Sequence, residues 1–83
     1  ESLSMDLLRV ALGYHRGSSK MAKRFSEEAR NRVGEIEKSK VKPYFVIILN
    51  KLPSVLSQSD EMKLAEDALM YSVLCKNYAK KFL

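Results

Sequence analysis

The segment PYFVIILNKLP, residues 43 to 53, does most to decide what this chain can fold into. Its run of β-branched and aromatic residues has the composition of a buried strand. A strand, however, needs a neighbour to take up its backbone N–H and C=O groups, and an unpaired one leaves them buried without partners. The sequence offers no second strand, so the segment is predicted to be a buried helix. Pro43 suits the first position of a helix, where its missing N–H would be unpaired in any case. Phe45, Ile48 or Leu49, Leu52 and Leu56 then form the inward face, and Pro53 is expected to kink or restart the helix near Leu52.

The remaining segments also carry helical periodicity. Leu3, Leu7, Ala11 and Tyr14 recur at helical spacing, with Leu8 and Leu12 widening the stripe. This predicts a first helix from Ser4 to about Arg16, capped by Ser2 or Ser4 and ended by Gly17. A second helix, capped by Ser18 or Ser19, runs to about Lys38 with Met21, Phe25, Ala29, Val33 and Ile36 as its apolar stripe. Charges on its flanks sit three or four residues apart with opposite sign, Glu28 and Arg32 among them, so part of its charge is expected to be self-paired. The fourth helix begins after Ser57 or Ser59, with Asp60 and Glu61 in its first turn and Lys76, Lys80 and Lys81 in its last turns. The expected fold is therefore all-α, a compact three- or four-helix bundle forming one basic helical domain over residues 1–83.

The fourth helix carries two apolar stripes. Met62, Ala65, Leu69 and Val73 lie on one side, and Leu64, Tyr71, Cys75, Tyr78 and Phe82 on nearly the opposite side. A chain of 83 residues has one core, and covering both sides of a helix internally is hard at that size. One stripe is thus expected to face a partner chain or a second copy. The stripe ending in Tyr78 and Phe82 is the expected interface, because aromatic residues are enriched in interface cores.

Charge gives a second lead. The chain has 15 basic and 10 acidic residues and a net charge of +5. Residues 1–42 hold ten basic and six acidic side chains, against five and four in residues 43–83. The stretch YHRGSSKMAKRF, residues 14 to 25, has four cations, one histidine and no carboxylate. If Gly17 separates two helices, Lys20, Lys23 and Arg24 stand in the first turns of the second, where the macrodipole disfavours cations. An anion would compensate, and Arg16, Ser18, Ser19, Lys20, Lys23, Arg24 and Arg30, extended by Lys40 and Lys42, form a candidate phosphate-contacting patch for DNA or RNA. If instead the helix continues through Gly17, the cost vanishes and the cations simply face water.

Catalytic chemistry finds little to work with. There is one histidine, His15, and one cysteine, Cys75, among apolar neighbours, so neither a histidine pair nor a paired-cysteine metal site can be built. No carboxylate is isolated from basic neighbours, and no glycine-rich phosphate loop occurs. A non-enzymatic role without cofactor, metal or small-molecule substrate is expected. The longest apolar run, Tyr44 to Leu49, is six residues where a membrane span needs about 20. Together with the single cysteine and the absence of a signal-peptide pattern, this points to an intracellular protein of the cytoplasm or nucleus. The first residue, Glu1, suggests a fragment or subunit of something larger. The function expected is an interaction module within a nucleic-acid-processing assembly, with direct nucleic-acid binding as the alternative.

Overall fold

The computed structural model describes residues 2–82 as four helices joined by short turns. Helix α1 spans Leu3–His15, α2 spans Ser19–Glu35, α3 spans Pro43–Leu56 and α4 spans Glu61–Phe82, with a single 3₁₀ turn at Lys38–Lys40 between α2 and α3. No strand occurs among the described residues. The 22-residue α4 runs about 33 Å at 1.5 Å per residue, nearly the full 36 Å long axis of the molecule. Helix α1 is sandwiched between α4 and α2, and α3 closes the remaining side against both.

Local chemistry accounts for the helix ends. The Ser2 hydroxyl accepts the Met5 N–H at 3.3 Å, capping α1. Gly17 takes φ of +76°, the left-handed conformation that glycine adopts without steric cost, and this ends α1 and lets the chain reverse into α2. The cap of α4 is Asp60 rather than Ser57 or Ser59. Its carboxylate accepts from Met62 N at 3.1 Å and Lys63 N at 3.2 Å, placing negative charge at the helix amino end. The segment from Pro43 is helical, as backbone satisfaction requires, and it runs through Pro53 to Leu56 without restarting there. Leu49, Leu52 and Leu56 are buried on one face on both sides of the proline, so packing holds the helix together where one ladder hydrogen bond is missing.

The core contains Leu7, Val10, Phe45, Leu49, Leu52, Leu56, Leu64, Cys75 and Tyr78, with alanines at the helix crossings. The α1–α2 crossing is close because small residues meet there: a Cβ on Gly13 would stand 2.9 Å from the Ala22 Cβ. This contact also displaces the buried face of α2. Ala22, Ser26, Ala29 and Val33 are buried, whereas Met21, Phe25 and Ile36 sit half-buried at the seam. Phe25 is instead flanked by the guanidinium groups of Arg9 and Arg24, at 5.3 and 5.8 Å from its ring centre. Arg32 does not serve a surface pair with Glu28. Its Nε donates to the buried Asp6 carboxylate at 2.8 Å, tying α2 to α1.

Candidate interaction surfaces

Two of the expected surfaces are rearranged by the fold. On α4 the stripe expected to face a partner is the one that faces the core. Leu64, Cys75 and Tyr78 are buried, Tyr71 is half-buried against the core, and only Phe82 stays exposed. The interface expected at Leu64, Cys75 and Tyr78 is therefore corrected: these side chains already contact this chain's own helices. The reason lies in the residues between them. Ala65, Ala68 and Ser72 are buried alongside, and their small side chains let α1 approach α4 closely on that side. Tyr78 stacks on Phe45 with ring centres 4.0 Å apart, and its hydroxyl accepts the Lys42 N–H at 3.0 Å, an otherwise orphan donor at the start of α3. Burial pushes the Cys75 thiol up to about 11, the opposite of what a reactive thiolate needs.

The uncovered stripe of α4 is the other one. Met62, Leu69 and Val73 are 60%, 43% and 49% exposed, whereas Ala65, expected on the same stripe, is buried; Leu69 and Val73 lie beside Met5 of α1, which is 41% exposed. Between the two helices runs a groove of about 360 Å³ lined by Ser4, Met5, Leu8, Leu69, Ser72, Val73 and Lys76. Ser4 and Ser72 are small, which leaves the space between the larger Met5, Leu8, Leu69 and Val73 open. The Ser72 hydroxyl donates to the Leu69 carbonyl at 2.7 Å, so the floor presents no unsatisfied donor there. Leu12, half-buried and one turn beyond Leu8, continues the apolar face toward Met62.

The basic stretch does contain a helix boundary. Gly17 breaks the chain into two helices, so the continuous-helix alternative does not hold. Arg16 occupies the C-cap of α1 and Ser18 the N-cap position of α2, where the Ser18 side chain makes no capping hydrogen bond and no acidic residue stands in the first turn. Ser19 opens α2, and Lys20, Lys23 and Arg24 follow on its exposed face. Ser18, Lys20, Met21 and Arg24 border one shallow depression.

Of three other cations, Lys40 and Lys42 leave the patch, while Arg30 borders one cleft with Lys23 but has its guanidinium engaged. Arg30 reaches across to the end of α3, donating to the Leu56 carbonyl and the Ser57 hydroxyl at 3.0 Å each, so it closes an orphan helix carbonyl. Lys40 pairs with Glu37 at 3.5 Å, and the Lys42 ammonium lies 5.2 Å from the Phe82 ring centre. Lys42 thus sits by the last turn of α4, whereas Tyr14 and Lys23 share a cleft with Leu64 near its start. Those two places are separated by 18 residues of α4, about 27 Å along the helix. Lys40 and Lys42 do not extend the amino-half patch.

Sequence spacing showed that α4 has two stripes, but large side chains drew attention to the wrong one. The signal that separates them is the pair of small residues Ala68 and Ser72 on the packed side, with which Ala65, expected on the Met62–Val73 stripe, is buried. Among the described residues no group of three or more histidine, cysteine or carboxylate side chains could hold a metal, and no helix is long and apolar enough to cross a membrane. Comparison with protein-family models, with curated proteins and with solved structures finds no match.

Proposed function

We propose that this chain is a helical protein-interaction module that docks a partner through the face shared by α1 and α4, as a subunit or domain of a nucleic-acid-processing assembly. The observation that carries the docking surface is the row of exposed apolar side chains, Met62, Leu69 and Val73, continued by Met5 and the groove beside it. Isolated exposed apolar residues are ordinary, but a contiguous set along two helices marks an interaction site. Methionines suit that role, because an unbranched thioether adapts to the shape it meets.

The test is comparative capture with immobilised wild-type protein and with Leu69→Lys/Val73→Lys. Both substituted positions are exposed, so the variant keeps its fold, checked by circular dichroism. Proteins retained by the wild type and lost by the variant support the reading, as does a dimer that the variant abolishes in sedimentation velocity. Identical capture and identical mass would remove it.

A second reading has its own observation. The amino end of α2 has exposed Lys20, Lys23 and Arg24, no carboxylate in its first turn and no side-chain cap, an arrangement that favours phosphate. Binding of DNA or RNA through these groups and Arg16 would be mostly sequence-independent, with a log–log salt slope of about −3 for three to four phosphates. Fluorescence anisotropy with Lys20→Glu/Lys23→Glu/Arg24→Glu decides it: unaltered affinity excludes this patch.

A further inference from the structure

We infer that the partner segment fitting the α1–α4 groove is an acidic amphipathic helix, an inference that rests on the docking reading above and names the occupant. Three features of the surface select it. The first is shape. Ser4 and Ser72 leave a depression between Met5 and Leu8 on one side and Leu69 and Val73 on the other, bounded at one end by Lys76. Such a hole between two packed helices receives one large apolar side chain from a third helix, and neighbouring anchors at i+3, i+4 or i+7 continue along the stripe toward Met62.

The second feature is charge. Lys76 borders the groove, and Lys80 follows it one turn later on the same face of α4; both are exposed. At the far end stand His15 and Arg16, exposed at the end of α1. The carboxylates on this face, Glu66 and Glu61, lie toward the amino end of α4, before the groove lining begins at Leu69, with Glu61 near Tyr14. The groove is therefore apolar with its charged border, Lys76, cationic.

The third feature is register. Lys76 and Lys80 are four residues apart, so carboxylates at i and i+3 or i+4 of an antiparallel or parallel partner helix can meet them together. The occupant is thus a helix with large apolar residues along one stripe and Asp or Glu one turn apart beside it.

The experiment uses two designed peptides of about 20 residues, with the same apolar anchors and with flanks that are either Glu or Lys. Each is titrated into isotope-labelled protein, and amide shifts locate the contact. The acidic peptide is expected to shift Met5, Leu8, Leu69 and Val73 and to bind about fivefold more tightly than the basic one at low salt, the preference shrinking as salt rises. In Lys76→Glu/Lys80→Glu the preference reverses. Equal affinities on this face, or an unreversed preference in the variant, would overturn the acidic assignment while leaving the docking face in place. Absence of binding by both peptides would overturn the helical occupant, and the capture experiment would then decide the docking reading separately.

Discussion

The Tyr78 ring lies flat on Phe45, 4.0 Å between centres and 11° from parallel, and the same side chain accepts the Lys42 N–H through its hydroxyl at 3.0 Å. One residue of α4 thereby fixes both the packing and the first turn of α3. The two functions separate by substitution. Tyr78→Phe keeps the stack and leaves one backbone donor unpaired, costing about 1 kcal/mol. Tyr78→Ala also opens a cavity beside Phe45, and its cost is about 3–5 kcal/mol. Urea unfolding of both variants measures this, and equal losses would show that the stack contributes nothing.

Gly13 and Gly34 are expected to respond to alanine with opposite sign. At Gly13 the new Cβ meets Ala22 at 2.9 Å, with the Ala22 backbone nitrogen equally close, so α1 and α2 must separate. That strain exceeds the gain in helix propensity and leaves a net loss of about 1–2 kcal/mol. At Gly34, exposed near the end of α2, nothing lies within 4 Å, and Gly34→Ala should stabilise by about 0.5–1 kcal/mol. Thermal melts of the two variants on either side of the wild type would verify the assignment; a stabilising Gly13→Ala would contradict the close crossing.

The Asp6–Arg32 bond joins a carboxylate that is 2% exposed to a guanidinium that is 30% exposed. Removing the cation leaves buried charge with less compensation, so Arg32→Met should cost about 2 kcal/mol, below the usual figure for fully buried pairs because Arg32 is partly wet. In an Asp6→Asn background the same substitution should cost less than about 1 kcal/mol. A double-mutant cycle reads the coupling, and identical costs in both backgrounds would show that the two side chains act independently.

Cys75 supplies a pH signature. Its thiol is held up to about 11 by burial, above the ordinary value of 9.0, so the folded state keeps a proton that the unfolded state releases. Between pH 9 and 11 the unfolded chain binds fewer protons, and stability is expected to fall as pH rises through that window. Tyr14, also raised chiefly by burial, acts in the same direction. At pH 8 roughly a thousandth of the folded thiol is ionised, so a disulfide reagent should react far more slowly than with an unfolded control. Cys75→Ala should flatten the decline above pH 9. Fast labelling of the native protein would place Cys75 outside the core.

Much of the architecture was legible in the sequence because it depends on local rules. The absence of a strand partner made residues 43–53 helical, Gly17 ended α1, and periodicity placed four helices close to their actual bounds. Each of these follows from backbone hydrogen bonding, steric limits on φ, or the 3.6-residue period. Of the candidate residues, the position of Lys20, Lys23 and Arg24 was legible for the same reason, since they are exposed groups at a locally marked helix start.

What only the tertiary structure decided is which of two chemically similar faces meets another helix. Both stripes of α4 are apolar in sequence, and the hydrophobic effect has no direction. The choice was made by how closely backbones can approach: Ala65, Ala68 and Ser72 admit α1, as Gly13 and Ala22 admit each other, and this turned Leu64, Cys75 and Tyr78 inward while leaving Met62, Leu69 and Val73 outside. The same long-range geometry drew Arg30 to the end of α3 and put Lys42 at the opposite end of the bundle from Lys20. Sequence determined which elements form; close packing between elements distant in the chain determined which surface stayed exposed.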